Sequence, residues 1–332
     1  MKTLVTGATG FIGSTVVREL LKEGVDVRVT ARKDSDTRNI DGLDVEVVHG
    51  DTRDRSSMRA ALKGCDTLYH VAAYFAHWSL DKNLFYEVNV EGTKNILSEA
   101  LSAGLEKVVY TSTSNTIGSH GAWNYVDETA EFNAWETKDH YAISKYLAEI
   151  EAKKIYDQGL PMVIVNPTLV IGVRDIKPTP SGKLIIDIAQ RDMPGYIDGA
   201  INIIDVQDVV KGHLLAAKKG RIGERYILGN ENVTVGSFFT LVAEIAGVKP
   251  PALKLPYPVA MLLAYVFEAQ ARITKHTPVV SLSQVRIGNM GEHFDNSKAV
   301  NELGLKLTPI ETTVRNTVEW FVEHGYITKK GS

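Results

Sequence analysis

Thr6-Gly7-Ala8-Thr9-Gly10-Phe11-Ile12-Gly13 stands between a β-branched run at residues 3–6 and an amphipathic helical pattern over residues 12–23. A strand that turns sharply into a helix leaves the helix's first N–H groups unpartnered, which makes that turn a ready anion site. Each glycine has its own use: Gly7 permits the tight turn, Gly10 lets backbone approach a pyrophosphate, and Gly13 allows close helix-to-strand packing. The GxxGxxG spacing is one residue longer than G-x-G-x-x-G, so the strand and helix on either side carry the reading more than the motif does. The turn reads as a dinucleotide cradle, with Thr9, Phe11 and Ile12 completing it. A glycine-rich βα turn without a ligand is the alternative.

Working outward, strands at 25–30, 45–48, 67–73, 107–112 and 162–166 alternate with helices at 56–62, 84–103 and 140–158. That alternation is the pattern of βαβ units, hence an α/β, Rossmann-type doubly wound parallel sheet. After Pro167 the rhythm changes, with Pro178, Pro180 and Pro194 interleaved with Gly182, Gly195 and Gly199. A helix at 206–218 and a strand at 225–228 rejoin the sheet, and the chain from Val233 onward is mostly helical. The expected division is a cofactor domain of 1–170 plus about 201–230, and a smaller, mostly helical substrate lobe of about 171–200 plus 231–332.

Bulk properties narrow the partners. A chain of 332 residues, 44% hydrophobic, is long enough for a large core, and a net charge of -3 offers no basic surplus for nucleic acid. One cysteine, Cys65, forms no intramolecular disulfide and fits a reducing compartment. The longest apolar stretch, 258–267, ends at Glu268 and Gln270, short of a membrane span, and the first residues leave no room for a leader. A cytoplasmic protein with no membrane partner is expected, and no His or carboxylate spacing suggests a metal.

At the end of the second strand, Thr30-Ala31-Arg32-Lys33 stands where an acidic residue would hold the ribose 2′-OH of NAD. The cations favour a 2′-phosphate, hence NADP(H) with NAD(H) possible, unless Arg32 and Lys33 are a solvated loop pair. Asp51, beside Thr52, is placed to meet the adenine amine or to serve the turn. Further on, Tyr141 and Lys145 lie four residues apart on one helix face. A phenol near pKa 10 is a poor base at neutral pH, but a nearby cation favours phenolate and eases proton exchange with a substrate oxygen. Thr113, just past the fifth strand, lies at the carboxyl edge of the sheet, where its hydroxyl can polarise a carbonyl.

Together these motifs resemble those of the extended short-chain dehydrogenase/reductases over nearly the whole chain. His70-Val71-Ala72-Ala73, Asn89-Val90-Glu91-Gly92-Thr93 and Val109-Tyr110-Thr111-Ser112-Thr113 follow in that family's order. Gly50-Asp51, Asn166-Pro167-Thr168, Asp205-Val206-Gln207-Asp208-Val209 and Gly223-Glu224-Arg225-Tyr226-Ile227-Leu228-Gly229 are similar to its dihydroflavonol-reductase-like and hopanoid-associated sugar epimerase-like branch. The resemblance implies Tyr141 as the acid/base, Lys145 on the nicotinamide ribose, and Thr113 where serine is usual. It also implies Val71, Ala72 and Ala73 along the cofactor, Pro167 and Val170 framing the nicotinamide, and Asn89 as a relay or, more readily, a structural residue.

The substrate side is less determined. Tyr74, Phe75, His77 and Trp78 follow the fourth strand, and Trp123, Tyr125 and Trp135 precede Tyr141, as pocket wall or as lobe packing. Tyr74, Phe75 and Thr113 are the substrate candidates; His77 is a proton donor or a surface group. Arg174 and Arg286 meet an anionic substrate or form surface pairs. The expected activity is NADPH-dependent reduction of an aldehyde or ketone, reversible as alcohol oxidation. The runner-up is a nucleotide-sugar epimerase or dehydratase, disfavoured because residues 200–204 offer no cation for a diphosphate. A homodimer through the helices at 84–103 and 140–158 is expected from their several apolar faces.

Overall fold

β1 (Lys2–Thr6) runs into the glycine turn and α1 (Phe11–Lys22), followed by β2 (Asp26–Ala31), β3 (Glu46–His49), α2 (Arg55–Leu62) and β4 (Thr67–His70). Next come α3 (Asn83–Tyr86), a π-helical turn at Glu87–Glu91, α4 (Gly92–Ser102), β5 (Lys107–Thr111), α5 (His140–Tyr156) and β6 (Met162–Pro167). The remainder comprises β7 (Leu169–Ile171), α6 (Pro180–Ala189), β8 (Gly195–Tyr196), β9 (Ala200–Asp205), α7 (Val206–Lys219) and β10 (Arg225–Leu228). It closes with β11 (Glu231–Thr234), α8 (Val235–Ala246), β12 (Leu253–Lys254), α9 (Tyr257–Thr274), α10 (Leu282–Met290) and α11 (Ile310–Glu323). This computed structural model describes residues 2–121, 124–193 and 195–328.

The main sheet has the order β10-β6-β5-β4-β1-β2-β3, with every pairing parallel. The order reverses between β1 and β4, which opens a crevice beyond their carboxyl ends, where such sheets bind ligands. Its central strands β1, β4, β5 and β6 are buried on both faces, whereas the edge strand β3 is largely exposed. Val5, Val29 and Val109 pack under α1 and α7, while Leu4, Leu68 and Tyr110 pack under α2, α4 and α5. A second sheet, β11-β9-β7, joins α6, α8 and α11 around Ile185, Phe238 and Phe321. The segment after Val233 is mostly helical, and the small sheet joins its β11 to β7 and β9, which lie largely in residues expected for the cofactor domain.

Two local differences from the sequence reading bear on the site. The strand expected at 67–73 ends at His70, and residues 71–77 continue as an edge of the crevice. The helix expected at 84–103 contains the π-turn, which turns Asn89 fully inward. Its Oδ1 accepts from Tyr74 N at 2.7 Å, and its Nδ2 donates to Tyr74 O at 3.1 Å and Ser144 Oγ at 2.9 Å. Asn89 therefore ties the 71–77 edge to α5, and a π-turn used this way is common near functional sites.

Candidate active site

The glycine turn is a cradle that side chains would fill. Gly7 has φ +71, and a Cβ there would sit 2.7 Å from Ala72 N. A Cβ on Gly13 would collide with the Gly7 carbonyl oxygen. Gly10 N donates to Gly7 O at 3.0 Å, and Gly10 caps α1 without a side chain in front of the helix N-terminus. A cavity of about 580 Å³ runs from this cradle along the switch point, a volume typical of small-molecule and cofactor sites.

Thr9, Phe11 and Ile12 line its cradle end, and Arg32, Asp51 and Thr52 line it beyond β2 and β3. Val71, Ala72 and Ala73 form one wall, with Pro167 and Val170 opposite in sequence. Lys33 is placed differently: it faces an adjoining recess with Arg32, Arg53 and Asp54. Arg53 pairs with Asp51 at 2.7 Å and holds its carboxyl below the usual range. Arg32 is half exposed, with Nε 3.4 Å from Asp34, while its backbone N–H donates to Ser35 Oγ at 3.1 Å. Ser35, unnoticed in the sequence, also lines the cavity and gives Arg32 a hydroxyl neighbour.

Tyr141, Lys145 and Thr113 meet on the same cavity. Asp139 starts α5 by accepting from Ala142 N at 2.8 Å, which fixes the helix one turn before Lys145. Burial raises the Tyr141 phenol well above its ordinary value, opposed by a hydrogen bond with the Thr113 hydroxyl and reinforced by Asp139. At neutral pH Tyr141 is thus protonated, the form that can donate a proton to a carbonyl oxygen. Lys145 is fully buried, and its Nζ donates to Thr111 O at 2.8 Å and Tyr110 OH at 3.2 Å. Burial lowers it to about 7, with Glu149, one turn further along α5, pulling the other way.

Glu149 anchors a polar network that the sequence did not reveal. Its Oε2 accepts from Ser112 Oγ at 2.6 Å and Thr116 Oγ1 at 2.8 Å, and its Oε1 pairs with Arg225 at 3.1 Å. Asn166 Nδ2 joins it and also donates to Thr113 O at 3.1 Å. The network clamps the 112–116 segment against α5 and so sets Thr113 against Tyr141.

On the substrate side, Phe75 and His77 line the cavity, and the Phe75 ring lies 4.6 Å from that of Tyr141. Ala73, Phe75 and His77 line the cavity, while Tyr74 lines the adjoining recess and packs edge-on to Phe85 at 4.8 Å. Trp135 stacks edge-on with Phe132, and Tyr125 stacks on His293, away from the cavity wall. Trp123 lies outside the described residues. Arg286 donates to Thr137 O, and neither it nor Arg174 lines the cavity. The C-terminal part of the chain instead contributes Gln284 of α10 and Glu292 just after it, and burial raises the Glu292 carboxyl to about 7. Among the described residues no cluster of side chains suited to a metal occurs.

A parallel sheet in this order, a glycine cradle at its switch point and a buried Tyr/Lys/Thr group define an NAD(P)-dependent oxidoreductase of the short-chain type. The chain belongs to the NAD dependent epimerase/dehydratase family, whose model matches residues 3–229. It is 39% identical over 327 residues, 97% of this chain and 95% of the relative, to a Synechocystis protein named "Putative dihydroflavonol 4-reductase". It is 36% identical to Sterol demethylase protein B of Methylococcus capsulatus, over 98% of this chain and 100% of that one. The solved structure of gox2253 superposes with a TM-score of 0.88 at 41% identity, covering 98% of this chain and 99% of that chain.

Proposed function

We propose that the chain is an NADPH-dependent reductase of an apolar aldehyde or ketone, working reversibly on the corresponding alcohol. The observation that carries this reading is the charge of the cavity. Among its described lining residues the only lysine or arginine side chains are Arg32, past β2, and Lys145, beneath Tyr141. The lobe side presents Phe75, Leu169 and Leu184 with the carboxyl of Glu292. Such a wall suits a neutral apolar carbonyl and offers no lysine or arginine to a nucleotide sugar's diphosphate, which calls for charge-assisted donors. The named relatives, a dihydroflavonol reductase and a sterol demethylase protein, point toward apolar ring compounds in the same sense.

The cradle fits a pyrophosphate because its three glycines keep Cβ atoms out of the helix N-terminus, and Lys145 stands where it can hold a ribose hydroxyl. When bound, the nicotinamide supplies the hydride. The protein's part is to bind the carbonyl oxygen between the Tyr141 and Thr113 hydroxyls, and to pass it the Tyr141 proton. Oxidation of reduced nicotinamide, followed by absorbance with a panel of aldehydes, ketones and nucleotide sugars, tests the reading; turnover of the sugars alone overturns it.

Arg32 gives the cofactor preference. Its guanidinium, half exposed at the cavity edge, can grip a 2′-phosphate in fork geometry. Arg32→Asp should weaken NADPH binding about tenfold or more while leaving NADH within about twofold, since one charge-assisted contact is worth ~1.5–3 kcal/mol. Equal NADPH and NADH affinities in the unaltered chain, measured by fluorescence titration, refute it.

The protein is proposed to be a homodimer through α4 and α5, which pack on each other and leave Ile143, Leu147 and Ile150 only partly covered. Light scattering at micromolar concentration should give twice the chain mass.

A further inference from the structure

α9 is apolar on both sides. Its inner line is the small buried residues Ala260, Ala264 and Ala271, of which Ala260 and Ala264 pack with Val285 and Leu282 of α10. On the opposite arc stand Val259, Leu262, Val266 and Ile273, which recur at helical spacing, and Tyr265 beside them. Leu262, Tyr265 and Ile273 are 64%, 66% and 83% exposed. No exposed residue of α9 is acidic. Its one carboxylate, Glu268, turns inward and accepts from Leu282 N at 2.8 Å. Cations flank the helix instead: Lys249 and Lys254 precede it, and Arg272 and Lys275 end it, all exposed. Of these Lys254 pairs with Asp198 and Arg272 with Glu268.

We propose that α9 is a docking helix that lies on an anionic lipid surface with this arc in the headgroup and acyl boundary. An exposed apolar stripe of this size marks an interaction face. A stripe without carboxylates, bordered by lysine and arginine and carrying Tyr265, is the composition of an interfacial helix. The charges disfavour a second copy as the occupant. Packed on itself in either direction, the helix would set cations at its ends against cations. Among the described residues no helix is long and apolar enough to cross a membrane, so α9 rests on the surface rather than spanning it. The expectation of no membrane partner rested on the lack of a spanning run, which an interfacial helix does not need.

The position suits the cavity. α9 packs on α10, whose Gln284 lines the cavity, and Ser281 and Ser283 hydroxyls donate to the His77 carbonyl at 3.2 and 3.3 Å. A bilayer under α9 would therefore lie one helix away from Phe75 and Tyr141. This last step, entry of an apolar substrate from the lipid, rests on the reductase reading; the docking does not.

Sedimentation of the full chain with phosphatidylcholine vesicles, with and without phosphatidylglycerol, tests the docking. Binding to the phosphatidylglycerol vesicles is expected, and should weaken as salt is raised. Leu262→Glu/Val266→Glu should lower the partition coefficient at least tenfold. Arg272→Glu/Lys275→Glu should remove the preference for phosphatidylglycerol, at roughly fivefold per lost cation. Both variants change exposed side chains, and an unchanged melting temperature and NADPH titration would show them folded. No partition of the unaltered chain into either vesicle overturns the proposal. So does a dimer that Leu262→Glu/Val266→Glu splits, which would make a second copy the occupant. Carbonyl reduction without vesicle binding would remove the docking and leave the reductase reading intact, and the reverse result would do the opposite.

Discussion

Tyr141→Phe should lose at least about a thousandfold in kcat while NADPH titrates as in the unaltered chain. A positioned proton donor contributes ~10² to 10⁴-fold, and phenylalanine deletes the one oxygen that can deliver the proton. The ring stays: its contact with Phe75 at 4.6 Å centroid separation is apolar and survives the change. The Thr113 hydroxyl stays on the cavity to meet the carbonyl, but with no acidic proton behind it. A loss of a thousandfold corresponds to ~4 kcal/mol of barrier. Steady-state kinetics with any accepted carbonyl, alongside fluorescence titration with NADPH, makes the measurement. Near-normal turnover would transfer the proton role to another cavity group, of which His77 and Glu292 are the titratable candidates.

The parts of this site that the sequence showed are those whose geometry is local. Gly7, Gly10 and Gly13 sit within one turn, and their spacing already dictates a backbone that tolerates no Cβ. Tyr141 and Lys145 are four apart on a helix, so their shared face needs no tertiary information. The parallel, doubly wound class of the sheet followed from the alternation of β-branched runs with helical patterns. What stayed hidden depends on distant partners. Glu149 reads as an ordinary helical carboxylate, yet it binds Ser112, Thr116, Asn166 and Arg225 from three other segments. Glu292 enters the cavity from a loop that follows α10, with no motif to mark it. Composition put an aromatic run beside the site, but the direction of each ring depends on the path of the chain after β4, which ends at His70 rather than Ala73. The role expected for Lys145 also shifts in emphasis. Its ammonium turns back onto β5, toward Thr111 O and Tyr110 OH, and the phenol it was expected to tune is governed first by burial.

That placement of Lys145 leads to a second large effect with an opposite sign for stability. Lys145→Met should lower kcat/KM by about a thousandfold and weaken NADPH binding, because it removes the cation and the ribose donor together. The same variant, without cofactor, should melt at the same temperature as the unaltered chain or higher. Lys145 is fully buried, and burial lowers its pKa from 10.5 to about 7, so folding carries the cost of desolvating an ammonium. Between these two values the unfolded chain binds the proton and the folded chain does not, so stability rises with pH across that window. The cost is therefore greatest at and below about pH 7 and fades as pH approaches 10.5. Methionine has nearly the same length and no charge to desolvate, and exchanges two hydrogen bonds for apolar contact beside the Tyr110 ring. The difference in melting temperature between variant and unaltered chain should accordingly be larger at pH 7 than at pH 9. A variant that melts well below the unaltered chain at pH 7 would show that Lys145 holds α5 to β5 structurally. A stable but inactive one would show that the fold carries a destabilising buried cation because catalysis requires it.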